Sequence, residues 1–381
     1  MDRVYLDYAA TSPMDPRTVD RMLPFFTQQF GNPSSLHYFG QQADSAVDLA
    51  RNAILRLFKS LDHDLIFTSG GTESDNLALK GVTTPNSQSR MKKILLSPVE
   101  HPAVDKTAKR LEQDGTVQID QLRVDKYGLI LHNDLQKKLT GTTLASVVWA
   151  NNEIGTINDI GKIAQICHKS GALLHTDAVQ AAAHLNINLN ETNVDMLSIG
   201  AHKFSGPKGV GCLVFRKTIN LDSQIVGGGQ ESGKRGGTHN VPLIVGMQAA
   251  LEMAYKDRES INIHLTNLRD QIIAEILKNI PGSYLTGHPV YRLPNHASFV
   301  FEGVKGQELV IALDMAGFSV SSGSACKVGN PSPSQVLLAL GIPEDLAMGA
   351  LRVTVGRNTK EDEVRSFLDV LPNIVNNLRN G

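Results

Sequence analysis

From Asp64 onward, short apolar runs alternate with longer segments of helical periodicity, and this alternation constrains the fold more than any other feature of the chain. Asp64 to Thr68, Lys92 to Ser97, Thr143 to Ala150, Ala172 to Asp177, Met196 to Gly200 and Gly211 to Phe215 are rich in Leu, Ile and Val, as strands covered on both faces must be. The segments between them read as helices. In Asp159 to Ser170, Ile160, Ile163, Ala164 and Ile166 or Cys167 share one face, and Gly171 stands where a helix would stop. The expectation is an α/β domain built on a parallel sheet.

At 381 residues the chain is too long for one small core, so a second, smaller domain is expected. Val241 to about Ile280 reads as one long or kinked helix, after which strand signals return at Ala297 to Phe301 and Leu351 to Val355. We therefore divide the chain into a large domain over 14–254 and a small α+β domain formed by 1–13 with 255–381. A net charge of -1 supplies no bulk attraction to nucleic acid or an anionic membrane. Neither a leader pattern nor a window of membrane-spanning length is visible, which predicts a cytoplasmic protein with no membrane partner. The three cysteines, Cys167, Cys212 and Cys326, form no Cys-x-x-Cys pair, so neither a disulfide framework nor a metal site is indicated.

In such a sheet, ligands sit beyond the carboxyl ends of the strands. Ser69-Gly70-Gly71-Thr72-Glu73-Ser74 follows one strand and opens a helix, an arrangement that can hold a phosphate on backbone N–H groups and the Thr72 hydroxyl, or can be a plain turn with an N-cap. Asp177 ends another strand, with Gln180 three residues on; it is either the partner of a cation or the cap of the next helix. His202-Lys203 follows Met196 to Gly200 directly, which makes Lys203 a candidate Schiff-base former if it is desolvated. Phosphate, carboxylate and lysine together describe a pyridoxal phosphate site.

With these motifs the chain resembles cysteine desulfurases of the NifS/IscS family, within the class V aminotransferase superfamily. The resemblance rests on Gly-Gly-Thr-Glu-Ser-Asp-Asn at 70–76, Val-Glu-His-Pro-Ala-Val at 99–104, Asn-Asn-Glu-Ile-Gly at 151–155, His-Thr-Asp-Ala-Val-Gln at 175–180 and Ala-His-Lys-Phe at 201–204. Further matches are Leu-Asp-Tyr-Ala-Ala-Thr at 6–11, Gly-Asn-Pro-Ser-Ser at 31–35, Gly-Gly-Gly-Gln-Glu at 227–231 and Ser-Ser-Gly-Ser-Ala-Cys at 321–326.

The resemblance implies a fold-type I enzyme dependent on pyridoxal 5'-phosphate, with a mainly parallel seven-stranded sheet and a homodimer whose sites lie at the subunit interface. It implies conversion of L-cysteine to L-alanine, with the sulfur passing to Cys326 as a persulfide and then to an acceptor, either an iron-sulfur scaffold or a tRNA-thiolating enzyme. Lys203 would hold the cofactor aldehyde, Asp177 the ring nitrogen and Gln180 the ring hydroxyl. His101 would stack on the ring and move protons, and Asn152 would contact the ring hydroxyl or the substrate. Gly71, Thr72, His202 and, from the partner subunit, Thr238 would hold the phosphate. Arg352 would grip the substrate carboxylate.

Cys326 lies in a stretch of small residues too poor in apolar side chains to bury itself, which predicts a mobile exposed loop suited to carrying sulfur outward. Its neighbour Lys327 is expected to depress the thiol's pKa. Cys167 and Cys212 read instead as small core hydrophobes. Two departures from the family pattern stand out. Gly200 occupies a position where many relatives carry a serine, so a phosphate hydrogen bond is expected to be missing or supplied by Ser205 or water. The short tail ending at Gly381 leaves the acceptor open. Selenocysteine lyase and aminotransferase chemistry remain alternatives on the same scaffold, and a thiol at 326 argues against the latter.

Overall fold

The computed structural model describes residues 3–83, 91–322 and 332–380. Its strands are β1 (Val4–Tyr5), β2 (His63–Thr68), β3 (Lys92–Leu96), β4 (Val117–Gln121), β5 (Thr142–Ser146), β6 (Leu173–Asp177), β7 (Met196–Gly200) and β8 (Gly211–Arg216). Beyond these come β9 (Ser283–Leu285), β10 (His296–Phe301), β11 (Phe318–Ser319) and β12 (Ala350–Thr354).

Strands β2 to β8 form a seven-stranded sheet in the order β2-β8-β7-β6-β5-β3-β4. Only β8 runs antiparallel to its neighbours, so the sheet is mainly parallel. The β4 edge strand, absent from the sequence reading, is the reason the count reaches seven; its half-exposed Val-Gln-Ile-Asp-Gln run lacks the apolar continuity of a central strand. The ladder of β5 is shorter than the apolar run from Thr143 to Ala150 suggests. The chain beyond Ser146 continues beside β6 through Val147 N–H to His175 O (3.1 Å) and Trp149 N–H to Asp177 O (3.0 Å).

Helices cover both faces because the intervening segments carry apolar stripes. Ile160–His168 begins where the Asp159 side chain accepts from Lys162 N–H at 3.0 Å and buries Ile163, Ala164, Ile166 and Cys167 against the sheet; Gly171, with φ +73°, turns the chain back into β6. Cys167 and Cys212 are both buried, and burial pushes the Cys167 thiol up to about 12, so neither is a reactive thiolate.

Val241–Asn279 is one continuous helix. Ile244, Met247 and Leu251 pack into the core of the large sheet, whereas Leu265, Leu268, Ile272 and Ile276 pack into a second core with Phe299, Phe301, Leu351, Val353 and Phe367. That second core is capped by the three-stranded antiparallel sheet β12-β10-β9. The amino-terminal segment joins it: Leu6 is fully buried there, β1 pairs with β11, and Asp7 bridges to Thr354. The chain start and the sheet containing Arg352 are thereby brought to the edge of the large domain, where β6 and β7 end. Among the described residues, no helix is long and apolar enough to cross a membrane.

Candidate active site

Strands β6 and β7 end side by side, and the residues immediately after them face one cavity of about 280 Å³. It is lined by Gly71, Thr72, Asp75, His101, Asn152, Asp177, Gln180, His202 and Lys203, with Val148, Ala150 and Val179 as apolar walls. Parallel neighbours place their carboxyl ends together, so residues far apart in sequence converge without any local signal.

Asp177 is the last residue of β6 and is buried; one oxygen accepts from Val179 N–H at 2.8 Å. Burial pushes its carboxyl above the ordinary range, a shift opposed first by His101, then by the Val179 N–H bond and by Lys203. Lys203 sits in the short turn after β7, and burial, followed by the charge of Arg352, lowers its amine from 10.5 to about 8. A lysine so displaced is partly neutral near physiological pH and can act as a nucleophile.

His101 caps the helix Pro102–Gln113, its Nδ1 accepting from Ala103 N–H at 3.1 Å. That bond assigns the ring proton to Nε2, and burial lowers the imidazole pKa further. Gly71–Thr83 begins after Gly70, whose φ of +152° is a glycine conformation, and its first two residues, Gly71 and Thr72, line the cavity. A Cβ on Gly71 would lie 2.6 Å from Val179 Cγ2, and one on Gly200 would lie 3.3 Å from Gly71 N. The backbone therefore runs close to its neighbours at both positions. Ser205 lines the adjacent cavity between the two cores, and its N–H donates to Ser12 Oγ.

Arg352, on β12, reaches the cavity lining through Asn152. Its Nη1 donates to Asn152 O at 2.8 Å, its Nη2 to Asp7 Oδ1 at 2.7 Å, and its buried Nε has no hydrogen-bond partner. Thr238 is exposed and does not line this chain's cavity. Cys326 and Lys327 lie outside the described residues. The two ends of that segment nevertheless meet the site. Ser321 bridges to Arg352, and Ser334 Oγ donates to Glu153 Oε2 at 2.5 Å.

The sequence reading missed the contribution of residues 7 to 11. Lys203 Nζ donates to Ala9 O (2.6 Å) and Ala10 O (2.7 Å), Gln180 Nε2 donates to Ala9 O (2.8 Å), and His202 Nδ1 lies 3.2 Å from Thr11 Oγ1. The motif at 6–11 was visible, but carbonyl oxygens carry no sequence signature. Also missed was a polar layer beneath the cavity. His175, held neutral by burial with a pKa near 3, reaches Ser146 Oγ at 2.9 Å and Ser198 Oγ at 3.0 Å beside buried Asp75. Burial and the charge of Asp177 raise the Asp75 carboxyl well above its usual range.

Residues 4–367 match the model of the aminotransferase class-V family. The chain is 44% identical over 99% of its length to a cysteine desulfurase IscS of Dictyoglomus turgidum, covering 95% of that protein, and 42% identical over 99% of its length to one of Methanosarcina thermophila, covering 93%. Among solved structures, a NifS-like protein superposes with a TM-score of 0.90 at 34% identity, covering 98% of this chain and 99% of that one. The structure described as SspA in complex with cysteine superposes with a TM-score of 0.80 at 29% identity, covering 94% of this chain and all of that one. With the lysine, carboxylate and helix terminus already in one cavity, these likenesses agree with the site, and the chain belongs to the aminotransferase class-V family, among its cysteine desulfurases.

Proposed function

We propose that this chain uses pyridoxal 5'-phosphate to convert L-cysteine to L-alanine, keeping the sulfur as a persulfide on Cys326 for an acceptor protein. The observation that carries the reading is the convergence of Lys203, Asp177 and His101 on one cavity whose far wall is a helix amino terminus.

The residues fit the cofactor. Asp177 is a buried carboxyl whose raised pKa marks the want of a fixed cation, which a protonated ring nitrogen supplies. Lys203 would hold the aldehyde and Gln180 the ring hydroxyl, with Asn152 beside them. Gly71 and Thr72 would hold the phosphate on backbone and hydroxyl donors, together with His202, neutral because burial lowers it to about 4. Bound there, the cofactor supplies an electron sink for the substrate Cα.

The protein's own groups do the rest. Arg352 orients the substrate through its carboxylate, and the unpartnered Nε makes a second donor available beside Nη2. His101 Nε2 is the atom that holds or moves a proton over the cavity. Cys326 attacks the substrate sulfur as a thiolate; the Cβ–S bond breaks, its electron pair returns to the carbon fragment, which takes up a proton, and the sulfur remains as the persulfide. The likeness to a structure solved with cysteine supports the substrate.

A homodimer in the cytoplasm is part of the same reading. Phe26, Phe30, Leu36, Tyr38 and Phe39 are exposed, with Phe30 and Phe39 stacked at 5.4 Å, an apolar surface that a second copy would cover. Iron-sulfur assembly and tRNA thiolation are both compatible as destinations for the sulfur.

The test is turnover of L-cysteine with a reductant, measuring alanine and sulfide together. Equal yields from the wild type, both lost in Cys326→Ala, are expected. Full turnover by the variant, or pyruvate in place of alanine, would overturn the reading.

A further inference from the structure

The segment 223–240 is pinned to the large domain at two places that the catalytic chemistry does not use. Glu231 is buried, with its side chain only 2% exposed, in a stretch that is mostly exposed or half-buried. Its Oε1 accepts from His239 Nε2 at 2.8 Å and from Arg51 Nη2 at 3.1 Å, and Arg51 in turn lies over the Phe67 ring at 5.1 Å. The backbone is in the left-handed region at Glu231 (φ 48°) and Ser232 (φ 53°), which costs about 1–2 kcal/mol per residue where no glycine stands. Arg235 Nε forms the second anchor, to Glu73 Oε1 at 3.0 Å in the first turn of Gly71–Thr83.

The preceding residue completes the arrangement. Gln230 Oε1 accepts from Gly237 N–H at 3.0 Å, so consecutive residues 230 and 231 hold residues 237 and 239. Thr238 is exposed between Gly237 and His239, both of which are fastened. A cheaper loop would need neither strained backbone nor a buried ion pair. Strain persists only where surrounding contacts over-determine it, and here those contacts converge on the residues flanking one hydroxyl.

We propose that Gln230 and Glu231 are positioning residues that set the Thr238 hydroxyl for the phosphate of the cofactor bound in the partner subunit. The inference rests on the proposed function and on the family resemblance, which implies that Thr238 serves the second subunit's site. Glu231 acts at a distance, through His239, and touches no reacting atom.

The experiment is cofactor retention, followed by the visible absorbance of the holoenzyme during dialysis, in Glu231→Gln, Thr238→Ala and the double variant. Glu231→Gln keeps the size of the side chain, and its circular dichroism and thermal midpoint report whether it folds. Each single variant is expected to weaken retention about tenfold, the worth of one hydrogen bond to a charged oxygen, with the double variant no worse than Thr238→Ala. Mixed dimers then locate the effect. Pairing a Lys203→Ala/Glu231→Gln chain with a wild-type chain should impair the one intact site, whereas pairing Lys203→Ala with Glu231→Gln should leave it near wild type. Additive losses in the double variant, or a defect confined to the mutated chain's own site, would overturn the clamp while leaving the desulfurase reading intact. Wild-type retention by Thr238→Ala would remove the role of Thr238, and the clamp with it.

Discussion

Arg352 is held by Asp7: Nη2 lies 2.7 Å from Oδ1 across 345 residues of sequence, and both side chains are shielded from solvent, at 5% and 19% exposure. The pair, with the bond to Asn152 O, fixes the guanidinium plane beside the cavity before any substrate arrives. A carboxylate entering there meets an oriented fork and not a swinging cation. Arg352→Lys keeps the charge and loses the fork, so the KM for cysteine should rise about tenfold to a hundredfold, corresponding to a loss of about 1.5–3 kcal/mol, with a smaller change in kcat. Steady-state kinetics decide it; a fall in kcat at constant KM would mean that Arg352 does not bind the substrate carboxylate.

Burial lowers the Lys203 amine to about 8. Only the neutral amine attacks an aldehyde, so the rate at which cofactor-free protein takes up pyridoxal 5'-phosphate should climb with pH and level off near 8, well below an ordinary lysine. The same shift makes stability pH-dependent. Between about 8 and 10.5 the unfolded chain binds more protons at this lysine than the folded one, so the cofactor-free protein should gain stability as pH rises through that window. Stopped-flow absorbance and denaturant midpoints check the two halves independently.

Asp177 carries the opposite linkage from most surface carboxylates. Its folded pKa is raised by burial, so ionising it at neutral pH costs the cofactor-free protein stability. Asp177→Asn should leave cofactor-free protein as stable as the wild type or more so, while desulfurase activity falls about a hundredfold or further, because an amide cannot hold the ring nitrogen's proton. Thermal melts without cofactor, set beside turnover with it, separate the effects.

Asp15 illustrates the common case. Its side chain accepts from Arg17, caps Pro16–Met22 and meets Arg357 Nη1 at 2.5 Å, joining the start of the chain to the segment after β12. The hydrogen bond from Arg17 holds its carboxyl down at about 2, against 3.8 when unfolded. The stability it contributes is whole above 3.8 and is lost as pH falls toward 2. Asp15→Asn should therefore lower the urea midpoint at neutral pH and flatten its decline in acid.

Much of the site was legible because its residues follow apolar runs. Asp177, Lys203, His202, Thr72 and His101 each sit where a strand or turn hands over to a helix, and parallel strands bring such points together whatever lies between them. The edge strand β4 was hidden by its polar, half-exposed composition. Ala9 and Ala10 were legible as part of a motif and silent about their task, since they act through backbone carbonyls.

By itself, then, the sequence determined the periodicities, and hence the layered α/β architecture, the chemistry available at each strand end, and the family likeness that names a reaction. Only the tertiary structure decided that Asp7 meets Arg352, that one helix serves two cores, and that consecutive residues 230 and 231 grip the neighbours of Thr238. The physical reason is range. Hydrophobic period and capping are encoded within a few residues of each other, whereas a contact between distant side chains exists only after burial of the cores has paired the surfaces that carry them.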